Sequence, residues 1–279
     1  MRHTIGRLLF FLLVAVILVY ILFPFYWAVR SSLMPDTAIY NTPIDYWPPH
    51  PTLEHYTQVL TNGNFVSALK NSAIVGLSVT ILSLVLGSMG AYVLGRFTFR
   101  GRSAALYIIL SMTMFPQIAI LGALYTEVRA LGLYDTLPAL IITYLIFTLP
   151  FTVWVLTSFF QGMPRELEEA GYVDGANPFQ TFYKIMLPLA APGMVTTGLL
   201  ALIAAWNEFL YALSFELSPS NYTVPLAIFG LDTTNTSAFD VPWGNIMAAT
   251  LVVTVPLVIL VLIFQRRIVA GLTAGAVKG

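Results

Sequence analysis

The sequence predicts an all-α membrane protein with six transmembrane helices and both termini on the cytoplasmic side. Three observations support this fold class. The composition is 58% hydrophobic and 9% charged, whereas a soluble domain carries about 25% charged residues. Six apolar runs each approach the roughly 20 residues that a helix needs to cross a bilayer. The Lys and Arg residues also collect on one side of the resulting topology.

The apolar runs set the order of the predicted elements. They are residues 8–29, 72–94, 104–124, 137–160, 194–213 and 246–264. The first run is long and lacks a small-residue cleavage site, so we expect a retained transmembrane helix rather than a signal peptide. The other five form a predicted core over residues 72–265. Pro116 lies inside the third run and predicts a kink, which either opens a cavity or accommodates a neighbouring helix.

The orientation follows from the positive charges in the loops, because cytoplasmic loops carry an excess of Lys and Arg. If the N-terminus is cytoplasmic, only Arg30, Lys70 and Arg129 fall outside. The other ten are Arg2, Arg7, Arg96, Arg100, Arg102, Arg165, Lys184, Arg266, Arg267 and Lys278. Both termini are therefore predicted to be cytoplasmic, with an even number of spans.

Several classes of chemistry are disfavoured by what the sequence lacks. It has no cysteine, so a disulfide framework and thiolate metal or redox sites are excluded. His3, His50 and His55 do not have ligand spacing, so we expect no metal site. The formal net charge is zero without a basic cluster, so no nucleic-acid partner is expected. We also find no GxxxxGK[ST] phosphate loop and no catalytic constellation, and we expect neither an enzyme nor a directly bound cofactor.

Two long loops are predicted on the external side. Residues 30–71 contain five prolines and several aromatic residues. This composition favours a loop at the membrane interface with a short surface helix over 52–60. The loop is either a connector or has a functional role. Residues 214–244 form the second loop, and a loop of this length is more often functional. The cytoplasmic tail, 266–279, is too small and glycine-rich to fold alone, so it is either disordered or docked on a partner.

Small and polar residues stand out within two of the apolar runs. The second run holds Gly76, Gly87, Gly90 and Gly95, which predicts close packing against another helix. In the fifth run, candidates for a translocation path are Trp206, Asn207, Glu208 and Tyr211. An ionisable residue at the membrane centre costs about 2.5–3.5 kcal/mol. Glu208 therefore either serves a pathway or makes a buried interhelical hydrogen bond.

Residues 161–192 form a polar island between the fourth and fifth predicted helices. Pro164 is predicted to begin a helix with three glutamates in its first turns, where the positive end of the helix dipole favours them. Gly175 ends that helix, and Asn177 with Pro178 begins a second one, which Pro188 ends. Leu167, Ala170, Gly171 and Asp174 share one face, whose small middle is predicted to receive a concave partner. The bulky residues Phe179, Phe182, Tyr183 and Met186 are predicted to fix the island to the bundle.

The polar island resembles the EAA loop of ABC importer permeases, whose pattern is EAA, then G, nine residues, I, any residue, LP. The matching residues are Glu169, Ala170, Gly171, Gly175, Ile185, Leu187 and Pro188. Gly171 replaces the second alanine, which keeps the face small but weakens the helix by about 1 kcal/mol. The segments PTLEHYTQVL, KNSAIVGLSVT, GAYVLGRFTFRGR, AWNEFLYAL and FQRRIVAGLTAGAVKG resemble the carbohydrate-uptake branch, and specifically the smaller permease of maltose and trehalose importers.

This resemblance implies a type I ABC importer permease fold in the cytoplasmic (inner) membrane of a bacterium or archaeon. The implied partners are a second homologous permease, two ATPase subunits that hold ATP and Mg, an external sugar-binding protein and an oligosaccharide substrate. The implied ATPase-coupling residues are Glu169, Ala170, Gly171, Asp174, Gly175, Ala176, Ile185, Leu187 and Pro188, and those of the tail are Gly275, Val277 and Lys278. The alternatives are an ABC permease for a non-sugar solute and a stand-alone secondary transporter or channel.

Overall fold

The computed structural model describes residues 2–231 and 241–276, with side chains over 6–231 and 241–265. These residues form helices and contain no strand. The first helices are α1 (Arg2–Ser32), α2 (Asp36–Ile39), α3 (Glu54–Thr61), α4 (Gly63–Arg96), α5 (Arg102–Thr113), α6 (Gln117–Ala130), α7 (Leu137–Gly162) and α8 (Glu166–Val173). They are followed by α9 (Pro178–Leu189), α10 (Ala191–Trp206), α11 (Leu210–Phe215), α12 (Val224–Gly230) and α13 (Trp243–Ala276).

Four of the six predicted crossings are long single helices, and the other two overlap bent helix pairs. Within the described ranges, α1, α4, α7 and α13 are each long and apolar enough to cross a membrane. The pair α5 and α6 is bent by 93°, and the pair α9 and α10 by 77°, and each pair has the length and composition of one span. The all-α fold class is confirmed, and α3 confirms the surface helix predicted in the first external loop.

The kink predicted at Pro116 is a complete break. Helix α5 ends at Thr113, and Pro116 takes an extended conformation, with ψ at 121°, just before α6 begins. Proline lacks an N–H and disfavours helical geometry at the preceding residue. The apolar pattern of the sequence is therefore continuous at Pro116, whereas the helix itself is interrupted there.

The fifth predicted run, 194–213, is wrong as a single helix. Helix α10 ends at Trp206, and α11 begins at Leu210. Two polar side chains stabilise the break by bonding to the backbone on either side of it. The Asn207 amide donates to the Ile203 carbonyl at 2.9 Å, and the Glu208 carboxylate accepts the N–H groups of Tyr211 and Ala212 at 2.8 and 3.2 Å.

Two predicted helix ends are also corrected. Pro188 does not end α9, which continues to Leu189 through a π-helical segment, Phe182–Met186. The Leu187 N–H bonds to the Phe182 carbonyl in this widened turn, which relieves the clash that a proline makes with an α-helical ladder. The sixth predicted helix, 246–264, also continues past its predicted end, because α13 runs from Trp243 to Ala276.

The chain divides into two compact units, residues 1–66 with 227–256 and residues 67–226 with 257–279. In the first unit, buried His55 joins the external segments. Its Nε2 donates to the Met34 carbonyl at 2.8 Å, and its Nδ1 lies 2.9 Å from Asn245 Oδ1. The ring packs against Gly244, where a Cβ would lie 2.3 Å from it. This contact holds the first external loop to the start of α13.

Close packing of α4 against α7 organises the second unit. A Cβ on Gly87 would lie 2.5 Å from Thr152 Cγ2, and one on Gly95 would lie 2.9 Å from Phe160 Cβ. The hydroxyl groups of Ser83 and Thr148 lie 2.8 Å apart between the same helices. The predicted role of the small residues in the second run is therefore confirmed, since only small residues allow this separation.

Candidate functional site

The polar island folds into α8 and α9, and α8 has well-defined ends. It begins at Glu166, two residues later than predicted, with Glu166, Glu168 and Glu169 in its first turn. At its end, the Gly175 N–H donates to the Tyr172 carbonyl at 3.1 Å and the Ala176 N–H donates to the Gly171 carbonyl at 2.9 Å. This is a Schellman motif, and Gly175 has the positive φ, +80°, that the motif requires. Gly175 thus ends the helix as predicted.

A capping box begins α9. The Asn177 side chain accepts the Gln180 N–H at 2.8 Å, and the Asn177 N–H donates to Gln180 Oε1 at 3.0 Å. Pro178 occupies the first helical position, where its missing N–H costs nothing. Both start signals identified in the sequence are confirmed.

The residues that match the EAA pattern divide into an outer and an inner set. Glu169, Ala170, Asp174, Gly175 and Pro188 are exposed, whereas Ala176, Ile185 and Leu187 are half-buried. Gly171 is buried, and a Cβ at this position would lie 2.7 Å from Ile185 Cδ1. The prediction that Gly171 faces a partner is therefore wrong, because this glycine allows α8 to approach α9.

The predicted aromatic anchors also divide into two sets. Phe182 and Met186 are buried in a cluster with Tyr92, Leu156 and Phe160, and they confirm the anchoring role. The other two, Phe179 and Tyr183, are exposed, so their assignment as anchors is wrong. Val173, at the end of α8, is a further large apolar side chain of the island and is 88% exposed.

A buried ion pair that sequence reasoning missed holds α8 to the end of α4. Arg96 and Glu168 have side chains only 5% and 12% exposed, and Arg96 Nη2 lies 2.5 Å from Glu168 Oε2. Tyr92 donates its hydroxyl hydrogen to Glu168 Oε1 at 2.9 Å. From the sequence alone, Arg96 indicates only the orientation of the chain, and Glu168 only a favourable position at the start of a helix. The two residues are 72 positions apart, so no local sequence pattern predicts that they pair.

The four candidates for a translocation path occupy different surroundings. Asn207 is exposed at the end of α10, whereas Glu208 is buried and caps α11. Glu208 thus bonds to the backbone of the next turn, and Tyr144 of α7 lies next to its carboxyl group. The pathway role and the interhelical hydrogen bond both stay predictions. Tyr211 is buried and lines a cavity of 340 Å³ with Ser111, Phe115, Gln117 and Phe147 among its neighbours. Among the described residues, neither the Tyr211 hydroxyl nor Trp206 Nε1 has a hydrogen-bond partner.

At the other end of α7, Asp135 bonds to the start of the second loop that the sequence predicts to be external. Its carboxylate accepts the N–H groups of Leu217 and Ser218, both at 2.9 Å, and the Ser218 hydroxyl at 2.5 Å. The Asn221 amide donates to the Asp135 carbonyl at 2.6 Å. Glu216 lies beside Asp135 and is 5% exposed. Neither of its carboxylate oxygens has a hydrogen-bond partner within the part of the chain that the structure describes.

The predicted tail contacts are only partly described. Gly275 belongs to the last turn of α13. Val277 and Lys278 lie outside the described residues, as does the polar run at 232–237 in the second external loop. Their predicted contacts with partners therefore stay predictions.

Comparisons with known proteins identify the family of the chain. Residues 83–273 match the family of binding-protein-dependent transport system inner membrane components. The chain is 43% identical over 260 residues, 93% of each chain, to the trehalose transport system permease protein SugB of Mycobacterium tuberculosis. It is 38% identical over 282 residues, 100% of each chain, to the trehalose/maltose transport system permease protein MalG of Thermococcus litoralis.

The fold also matches a solved structure. A chain of a bacterial ABC transporter involved in the import of the polysaccharide alginate superposes with a TM-score of 0.80 at 22% identity, over 94% of this chain and 96% of that one. At this identity the match concerns the fold, which is that of an ABC importer permease. The protein is therefore a multi-pass membrane transport subunit that belongs to the family of binding-protein-dependent transport system inner membrane components.

Proposed function

We propose that this chain is the smaller permease subunit of an ATP-driven importer of disaccharides such as trehalose or maltose. The observation that carries this proposal is the full-length similarity to two permeases named for those sugars, at 43% and 38% identity. A sulfoquinovosyl glycerol permease is also 38% identical over 274 residues. These similarities therefore support a glycoside as the transported substrate more strongly than they support any single sugar.

In this proposal, α8 and α9 form the docking element for an ATPase subunit. The outer residues Glu169, Ala170, Asp174 and Gly175 are exposed, and so are the large apolar side chains of Val173 and Phe179. Exposed apolar side chains and acidic groups on the same short helices favour a protein interface there. Two ATPase subunits hold ATP and Mg, and their closure pulls on this element. The tail residues Gly275, Val277 and Lys278 insert between the ATPases.

A second permease completes the membrane part of the importer. Helix α1 supports this partner, because the apolar window of its span is 0% buried within the described structure. The two permeases alternate between inward-open and outward-open states. Such states differ by a few kcal/mol, so a docked ATPase need only shift the balance by about that amount. The second external loop, 214–244, faces the sugar-binding protein.

The test separates docking from folding. The Glu169→Ala and Gly175→Ala variants are expected to lose labelled-sugar uptake and co-purification of the ATPase while still inserting into the membrane. Glu166→Ala is the matched control, because it removes an exposed glutamate from the same helix outside the EAA pattern. Uptake at the wild-type rate in both variants would exclude this docking role.

The sugar is identified in a second measurement. Vesicles with the complete importer and its binding protein are given labelled trehalose or maltose, with unlabelled amino acids, phosphate or other glycosides as competitors. We expect trehalose or maltose to be taken up and the non-sugar solutes not to compete. Competition by an amino acid or by phosphate alone would favour an ABC permease for another class of solute.

A further inference from the structure

The guanidinium group of Arg96 bonds to several partners where three helices meet. Nε donates to Glu168 Oε2 in α8 at 2.7 Å, and Nη2 forms an ion pair with the same oxygen at 2.5 Å. Nη1 donates to the carbonyl groups of Phe160 at 3.1 Å and Met163 at 2.7 Å, and Nη2 also donates to Pro164 at 3.3 Å. Arg96 thus makes four hydrogen bonds and one ion pair with these groups.

The acceptors of Arg96 come from two separate elements. Phe160 lies in the last turn of α7 and Met163 caps it, and the last carbonyl groups of a helix have no partner within the helix. The Phe160 carbonyl also accepts the Met163 N–H at 3.3 Å. Arg96, the last residue of α4, adds a donor to it and supplies one to the Met163 carbonyl. One side chain therefore joins the ends of α4 and α7 to the first turn of α8.

Glu168 is satisfied by the same helix end. Its Oε2 receives Arg96 and its Oε1 receives the Tyr92 hydroxyl, one turn earlier in α4. The neighbouring Glu169 is exposed on the other side of α8. Adjacent glutamates thus have opposite environments, one facing the helix ends and the other facing the outside.

We propose that Arg96, Glu168 and Tyr92 form a positioning bracket that transmits movement of α8 to the membrane helices α4 and α7. The inference rests on the proposed function, in which an ATPase moves α8. Leu167 packs beside the same helices, but apolar contacts are not directional and allow α8 to tilt. The bracket fixes its angle, because an arginine fork and a carboxylate bond only within narrow geometry.

The bracket also predicts that lysine cannot replace Arg96. Lysine keeps the charge but has three N–H groups on a single atom. It cannot reach Glu168 and all three carbonyl groups together. The Arg96→Lys variant thus keeps the ion pair while releasing the end of α7.

The test measures coupling in the complete importer, reconstituted in vesicles with its binding protein and ATPase. For Arg96→Lys and Glu168→Gln, we expect wild-type co-purification of the ATPase and continued ATP hydrolysis, with roughly a tenfold fall in sugar imported per ATP. Tyr92→Phe removes one bond and is expected to cause a smaller fall. In the Arg96→Lys/Glu168→Gln double variant, the two losses should not multiply, because both act on one contact.

Arg102→Lys is the matched control, since Arg102 also bonds carbonyl groups at the end of α4, those of Leu94 and Gly95, at 2.7 and 3.2 Å. We expect it to keep the wild-type yield of sugar per ATP. An unchanged yield in Arg96→Lys and Glu168→Gln, or a loss of uptake that only follows lost membrane insertion, overturns the bracket. If the wild-type chain does not co-purify with any ATPase, the proposed function itself fails.

Discussion

At the scale of single residues, Asp135 and Glu216 show how two adjacent carboxyl groups acquire opposite properties. Burial acts to raise the pKa of Asp135, but the hydrogen bonds from Ser218, Leu217 and Asn221 outweigh it and lower the pKa to about 2. Burial, together with the negative charge of Asp135, raises the pKa of Glu216 from 4.5 to about 8. One group is therefore held as a carboxylate and the other as a neutral acid at neutral pH.

This difference predicts an unusual pH dependence of stability. The folded state retains the Glu216 proton up to about pH 8, whereas the unfolded state loses it near 4.5. The free energy of unfolding should therefore fall as pH rises between these values. The Glu216→Gln variant should flatten this dependence and raise the unfolding temperature near pH 8, as measured by thermal unfolding in detergent.

Glu127→Gln provides the comparison for that experiment, because Glu127 is an exposed carboxylate on α6. It should keep the wild-type pH profile. If Glu216→Gln and Glu127→Gln give the same profile as the wild type, Glu216 does not carry a raised pKa. Asp135 contributes in the opposite sense, since its stabilisation is lost only as pH falls from 3.8 towards about 2.

At the scale of the elements, the contact of α8 with α9 explains the departure from the EAA pattern. Gly171 lies where a Cβ would come within 2.7 Å of Ile185 Cδ1 and 3.4 Å of Thr181 Oγ1. The glycine weakens α8 by about 1 kcal/mol relative to alanine. The close contact with α9 offsets this loss.

This contact predicts a coupling between positions 171 and 185. Gly171→Ala alone should raise the free energy of unfolding little or not at all, because the new methyl group displaces the Ile185 side chain. Ile185→Val alone removes Cδ1 and should cost about 0.5–1.5 kcal/mol. The free energy of unfolding of the double variant should be about 1 kcal/mol higher than the value obtained by adding the effects of the two single changes. Thermal unfolding measures this difference. Simple additivity would show that residues 171 and 185 do not meet.

How well the sequence predicts each element depends on the range of the interactions that form it. The ends at Gly175 and Asn177 were predictable because their bonds join residues within a few positions. The break at Glu208 was not predictable, because the apolar pattern of the sequence continues across it. At the break, the Glu208 side chain accepts a backbone N–H that a continuous helix would bond to a backbone carbonyl group. The Arg96–Glu168 pair was not predictable either, since its members meet only after α4, α7 and α8 have packed.

At the scale of the whole molecule, the polar features collect at the two ends of α7. Asp135 and its contacts immediately precede the first turn, and the Arg96–Glu168 bracket follows the last. A helix of 26 residues is about 39 Å long, which exceeds the roughly 30 Å hydrocarbon core. The two ends of α7 therefore reach opposite membrane surfaces.

The predicted orientation of these ends can be tested directly, because the chain has no cysteine of its own. Val173 and Leu217 are both exposed, and we expect Leu217→Cys to react with a membrane-impermeant maleimide in right-side-out vesicles. Val173→Cys should react only after the vesicles are opened, since α8 is predicted to be cytoplasmic. The reverse labelling pattern would invert the topology.

The break between α5 and α6 has a consequence for the lipid around the protein. Their 12 and 14 residues correspond to about 18 and 21 Å, so neither half alone crosses the bilayer. The bend of 93° leaves Met114 and Phe115 exposed at its corner. Fatty-acid chains offer no hydrogen bonds to the backbone carbonyl groups freed at such a corner. This part of the surface must therefore be kept away from lipid, by another protein chain or by water.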